Sequence, residues 1–152
     1  MIFIQQDNAK AHILANDPEW LNVYQQQGFT FILFQQPPNS PDLNILDLGF
    51  FRSIQSLMHK KMPKNVDAML DVVHEAFYQL DPKTLGNVWY SLQDVMIEDL
   101  KSKGANDYDL PHVNKARREA QGNHPIIIKA PLNVVMQSWE IVYGQASTSN
   151  RI

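Results

Sequence analysis

Hydrophobic positions in the first third of the chain come in short unbroken runs, and in the middle third they recur at helical spacing. Ile2-Phe3-Ile4 is β-branched and aromatic and gives way to polar Asp7-Asn8, which predicts a buried strand running into a turn. Residues 9–15 predict one or two helical turns. Asp17-Pro18 is a firmer helix start, with Asp as N-cap and Pro at the first helical position. Trp20, Val23, Tyr24 and Gln27 share a helical face, and Gly28 predicts the stop. Residues 29–34 are nearly all apolar, as in a strand covered on both faces of a parallel sheet. Strand, helix, strand makes a βαβ unit, whose crossover is expected to be right-handed.

Residues 35–43 form a proline-fixed connection into a helix. Asn44 is the preferred N-cap, with Asp47 in the first turn; Ser40 before Pro41 is the competing start. Leu48, Phe51, Ile54 and Met58 keep helical spacing up to Pro63. A third helix over 66–80 presents Val66, Met69, Leu70, Val73 and Phe77. A fourth starts at Asp81-Pro82, presents Leu85, Val88, Trp89, Leu92, Val95, Met96 and Leu100, and closes at Gly104. Trp20, Trp89, Phe50, Phe51 and Phe77 read most simply as core. Beyond Gly104 the pattern weakens. Residues 106–111 read as a loop, 114–121 as a short basic helix with Lys115, Arg117 and Arg118, and 126–128 as a strand. Residues 134–143 are ambiguous, and 146–152 form a frayed tail. The fold class is α/β, two strands followed by a helical layer.

The 152 residues suffice for one domain with a sizeable core. Sixteen acidic against thirteen Lys and Arg residues give a net charge of −3, which taken alone argues against a dedicated nucleic-acid-binding domain. The absence of cysteine excludes disulfides, cysteine-ligated zinc and thiol catalysis. No apolar run approaches a membrane span, and the first residues lack the basic region of a signal peptide. A strand that starts at the first residue creates the expectation that the natural domain begins upstream of Met1.

Asp7 ends a strand at the carboxyl edge of a parallel sheet, the edge where open α/β folds place ligands. Asp47 opens the helix that follows the next strand, and a right-handed crossover returns the chain to that same edge. Two carboxylates converging there repel each other unless a cation sits between them. Mg²⁺ takes such hard oxygen ligands, and paired ions about 3.5–4 Å apart serve phosphoryl transfer. Each residue also has a plain alternative: Asp-Asn after a strand makes turns, and an early Asp compensates a helix dipole.

Two longer motifs bear on that choice. Ile4-Gln5-Gln6-Asp7-Asn8-Ala9-Lys10-Ala11-His12 is followed by Gln36-Pro37-Pro38-Asn39-Ser40-Pro41-Asp42-Leu43-Asn44-Ile45-Leu46-Asp47-Leu48-Gly49-Phe50-Phe51. Together they closely resemble the mariner-like transposases of the plant and oomycete style, over residues 2 to 56. The resemblance implies a partial RNase H-like fold, its last two parallel strands and C-terminal helices. It implies catalytic Asp7 and Asp47, separated by 39 residues, as the second and third of three acids holding two Mg²⁺ or Mn²⁺ ions. Asp42, 34 residues from Asp7, is the rival third acid. The family's acid lies five residues beyond the Asp of Ser-Pro-Asp-Leu, which selects Asp47 and leaves Asp42 as a loop or helix-entry residue. The implied activity is metal-dependent DNA strand cleavage and transfer. The implied partner is DNA, both transposon ends and target, and the implied location is the nucleus.

Around the acids, Asn8, His12 and Asn44 are expected to support the carboxylates or cap the helix rather than bind metal. Lys60, Lys61 and Lys64, beside His59, complement a helix end or contact DNA phosphates. Residues 1–104 match the C-terminal part of the catalytic domain, 105–122 a family-like loop and basic helix, and 123–152 nothing in the family. The family's first acid and its N-terminal helix-turn-helix have no counterpart in these residues. Weak metal binding and little or no catalysis by this chain follow, and a non-catalytic DNA- or protein-binding module is the alternative. The apolar strand edge at Ile2-Phe3-Ile4 is expected to make the chain marginally stable and prone to self-association.

Overall fold

A computed structural model describes residues 1–105, 107–109, 120 and 127–144. The expected basic helix with Lys115, Arg117 and Arg118 and the expected tail over 146–152 lie outside the described residues. The chain divides into two compact units, Met1–Asn44 and Ile45–Ile152.

The first unit is a three-stranded sheet in the order β1-β3-β2, with β1 at Ile2–Gln6, β2 at Gln25–Gln26 and β3 at Phe29–Gln35. β1 and β3 run parallel in the register Ile2↔Phe31 to Gln6↔Gln35, so both end at one edge. Between them lies α1, Pro18–Val23, capped by the Asp17 carboxylate, which accepts from the backbone N–H of Glu19 at 2.8 Å and of Trp20 at 3.3 Å. The expected helical turns over 9–15 are instead a hydrogen-bonded turn, with the His12 N–H donating to Ala9 O. Gly28 does not stop α1. The helix ends at Val23, and Gln27 and Gly28, with φ of 50° and 81°, form the two-residue turn joining β2 to β3 as a hairpin. Two positive φ values match the right-handed twist of the flanking strands, which is why Gly serves here.

The sheet is less covered than its sequence implies. Leu33 is buried, whereas Phe3 is 64% exposed and packs edge-on against exposed Phe34 at 6.4 Å. The expected burial of β1 is therefore not met among the described residues. β1 is an edge strand, and its outer row of backbone groups has no strand partner among the described residues.

The second unit is helical. A π-helical turn, Leu46–Phe50, runs straight into α2, Phe51–Met58. The Phe51 N–H donates to Leu46 O, five residues back. α3 spans Val66–Gln79 with Asn65 as N-cap, and α4 spans Pro82–Lys101 with Asp81 as N-cap. α5 spans Leu132–Trp139 and continues into a second π-helical turn, Glu140–Gly144, which resolves the ambiguous stretch as helix. Ile54, Ala76, Val88, Tyr90, Val95 and Val134 form the core. Gly49 stands against Val88, so close that a Cβ there would lie 2.9 Å from Val88 Cγ2.

The aromatic residues expected in the core are mostly at the surface. Trp89 is 50% and Phe77 57% exposed, Phe51 is exposed, and Trp20 and Phe50 are half-buried, while Tyr90 is buried at 3%. The π turn explains Phe51. An extra residue per turn rotates everything after it, so Leu48 and Phe51 no longer share the face that regular α spacing implies. The expected strand at 126–128 is absent at Ile127 and Ile128. The Ile128 N–H donates instead to Gln93 Oε1 on α4 at 2.8 Å. No helix among the described residues is long and apolar enough to cross a membrane.

Candidate functional site

Asp7 follows the last residue of β1, at the carboxyl edge of the parallel pair. Its Oδ1 accepts from the Ala9 N–H at 2.8 Å and contacts His12 Nδ1 at 2.9 Å. The same ring nitrogen lies 3.1 Å from the Asp7 carbonyl oxygen. The carboxylate thus builds a tight turn, as the turn reading of Asp7-Asn8 expects, and orients the imidazole. Its side chain is about half exposed (46%), and no hydrogen bond occupies Oδ2 among the described residues.

Asn8 Nδ2 donates to the carbonyl oxygen of Gln36 at 2.9 Å. Gln36 is the first residue after β3, and its N–H continues the ladder to Gln6 O at 2.8 Å. The two sequence motifs therefore meet at one sheet edge, through Asn8 on one side and Gln36 on the other. From Gln36 the chain loops through Pro37-Pro38-Asn39 to buried Ser40, then makes a short 3₁₀ turn, Pro41–Leu43, with Asp42 in it. Gln5 Nε2 reaches over to Leu43 O at 2.9 Å and holds this turn on β1. Asp42 thus lies within a short 3₁₀ turn that ends before the helical segment begins. Asn44 is extended, with φ −111° and ψ 116°, and closes the 3₁₀ turn, its N–H donating to Pro41 O at 3.1 Å; Ile45 is the cap residue of the π-helical segment, so the expected Asn44 N-cap is not formed, and the competing start, Ser40 before Pro41, opens the 3₁₀ turn instead.

Asp47 belongs to the second unit, in the first turn of the π-helical segment, and is exposed. π-helical turns are uncommon and recur at functional positions, because the extra residue re-aims a side chain that a regular helix would point elsewhere. The acid and the distortion coincide here. The Asp47 side chain makes no hydrogen bond or ion pair among the described residues. An open groove of about 510 Å³ runs along this helix, lined by Arg52, Ser53, Ser56 and Thr84 over a floor of Gly49 and Val88. Asp47 does not line it.

The three lysines are not equivalent. Lys61 pairs with Glu75 of α3, and this ammonium, through its hydrogen bond and its charge, holds the Glu75 carboxyl below its ordinary range. Lys60 and Lys64 make no ion pair among the described residues and are exposed.

Asp7 and Asp47 each keep an unengaged carboxylate oxygen among the described residues, the hard donor that a divalent cation takes. No group of three or more His, Asp or Glu side chains placed to hold a metal occurs among the described residues. Each acid by itself thus offers a hard oxygen donor, without a third such side chain placed beside it among the described residues. Gln36 is the site residue that sequence reasoning passed over, since a glutamine beside two prolines reads as surface loop. Its place at the end of an apolar parallel strand was the available signal. Set against protein-family models, curated proteins and solved structures, the chain matches none.

Proposed function

We propose that the chain is the C-terminal part of a mariner-like transposase catalytic domain, whose intact family acts in the nucleus on DNA at transposon ends and target. The observation that supports this best is the Asn8–Gln36 hydrogen bond of 2.9 Å. It joins the two motif segments at the carboxyl edge of a parallel strand pair, where α/β folds place ligands. In this reading Asp7 and Asp47 hold Mg²⁺ or Mn²⁺. When bound, the ions activate the attacking oxygen and stabilise the leaving one at a phosphodiester. The chain's own residues supply the frame. His12 fixes the rotamer of Asp7, Asn8 fixes the turn that carries it, and Leu43, held by Gln5, lies four residues before Asp47 in the chain. With two of the family's three acids, the chain itself is expected to bind metal weakly and to cleave DNA little or not at all.

The test is Mg²⁺- or Mn²⁺-dependent nicking of DNA by this chain joined to an N-terminal segment that carries the first strand and first acid. Asp7→Ala and Asp47→Ala are expected to abolish nicking and Asp42→Ala to spare it. Loss with Asp42→Ala and retention with Asp47→Ala overturns the assignment. A second reading, a non-catalytic DNA-binding module, is favoured by Lys60 and Lys64, which make no ion pair among the described residues. It predicts DNA binding that survives Asp47→Ala and no nicking under any metal.

A further inference from the structure

Gln36 meets Asn8 and Gln6 through its backbone, and its side chain is buried as well, the residue being only 7% exposed. Three of its polar groups are committed. The N–H donates to Gln6 O at 2.8 Å, the carbonyl accepts from Asn8 Nδ2 at 2.9 Å, and Nε2 donates to Ser40 O at 2.7 Å. Gln6 and Asn8 are the two chain neighbours of Asp7. One residue thus grips both sides of the acid through its backbone, while its side chain closes the loop over Pro37-Pro38-Asn39. The loop is further braced by Ser40 Oγ donating to Pro38 O at 3.3 Å and by the left-handed Asn39, φ 58°.

The fourth group is Oε1, which is buried with no hydrogen-bond partner among the described residues. A buried acceptor without a donor destabilises a fold, whereas a methionine of similar length carries neither the donor nor the orphaned acceptor. Ser40 O does not depend on Gln36 alone, because it also accepts from the Leu43 N–H at 3.1 Å. A glutamine here is therefore a poor choice for stability and a good one for geometry. Breaking a local rule without a gain in stability marks a position held for another reason.

We propose that Gln36 is a positioning residue for Asp7. Its side chain locks the β3 exit loop, and its carbonyl then holds Asn8 and the turn that aims the Asp7 carboxylate at a divalent cation. This rests on the reading of Asp7 as a metal-binding carboxylate.

The experiment uses the full chain and Mn²⁺ alone, read by paramagnetic broadening of the Ala9 amide and the His12 ring in NMR spectra. Gln36→Met is expected to leave the melting midpoint near that of the parent and to raise the Mn²⁺ concentration for half-broadening about 10-fold, the usual effect of losing an outer support. In the metal-free protein it is expected to speed hydrogen exchange of the Asn8 side-chain amide, which reports release of the Asn8–Gln36 bond, while the Mn²⁺ midpoint separates a role toward Asp7 from a purely structural one. Asn8→Ala, at an exposed position, is expected to shift the Mn²⁺ midpoint likewise, and decides the matter if Gln36→Met fails to fold. The inference is overturned if either folded variant keeps the parent's Mn²⁺ midpoint while Asp7→Asn abolishes the broadening. If Asp7→Asn leaves the broadening intact, it is the metal reading of Asp7 that falls, and the role of Gln36 falls with it.

Discussion

Gly49 gives a sharp test of how the helix bearing Asp47 is seated. A methyl group placed on it would lie 2.9 Å from Val88 Cγ2 and 3.1 Å from Val88 Cγ1. Val88 is buried in α4 and β-branched, so its χ1 is nearly fixed, and rotation would bring one methyl in as the other left. Gly49→Ala therefore overpacks a stiff contact, at about 1–3 kcal/mol. Replacing a helical Gly by Ala also returns about 0.5–1 kcal/mol of backbone entropy. The net expectation is destabilisation by about 1 kcal/mol. Gly86, in the same α4, has open space within 4 Å of where a methyl group would stand, so Gly86→Ala keeps the gain without the clash. The entropy gain is common to both, and the difference between the variants isolates the packing cost. Melting midpoints followed by far-ultraviolet circular dichroism should separate by roughly 5–10 °C, Gly49→Ala below the parent and Gly86→Ala above it. Adding Val88→Ala to Gly49→Ala should recover part of the loss beyond additivity. Equal midpoints for the two glycine variants would refute the close seating of this helix on α4.

Three further outcomes are expected. Phe3→Lys, on the uncharged edge strand, should reduce concentration-dependent association in sedimentation velocity; a parent chain that is a clean monomer with a sharp cooperative melt would contradict this. Lys60→Ala with Lys64→Ala should make the plot of log K against log salt for DNA binding shallower by about 1.8, at about 0.9 per phosphate contact, while Lys61→Ala changes it less because Lys61 is engaged by Glu75. Since Lys61 depresses the Glu75 carboxyl, the stabilisation from this pair is present above the ordinary carboxylate range and is lost as pH falls through the folded-state value. Lys61→Met should move the NMR titration midpoint of Glu75 upward, and an unmoved midpoint would show that Lys61 is not the cause.

What the chain disclosed in advance was the local chemistry. Asp17 and Asp81 accept from backbone N–H groups at the starts of their helices, because a cap needs only its own next three residues. The two parallel strands were legible because unbroken apolar runs of that length have few other uses. Registers that depend on an inserted residue were not. The π turn at Leu46–Phe50 leaves the hydrophobic pattern almost unchanged while rotating Phe51 outward. The Gln27-Gly28 hairpin was hidden because its first strand is two glutamines with no apolar alternation to announce it. Exposure of Phe77 and Trp89 was hidden for a related reason: helical spacing says which residues share a face, and does not say what that face meets.

The candidate site divides along the same line. Asp7-Asn8 was readable as a turn and as an acid at a sheet edge, because the strand and the two residues after it define both. Gln36 was not, since its importance comes from a partner 28 residues away. The charge balance is the clearest case of a global quantity misleading about a local one. A net charge of −3 speaks against nucleic acid only if charge is spread evenly. Residues 45–64 hold Asp47 as their single acid against Arg52, Lys60, Lys61 and Lys64. Pairing then removes Lys61, which leaves a small set without ion-pair partners among the described residues, on one helix and the segment after it. Under the DNA-binding proposal, two or three such charges predict weak phosphate binding with a log–log salt slope of about 2 to 3. DNA binding by this chain should therefore be sought at low salt, and its loss on moderate salt addition is the signature that separates phosphate contacts from binding through apolar surface.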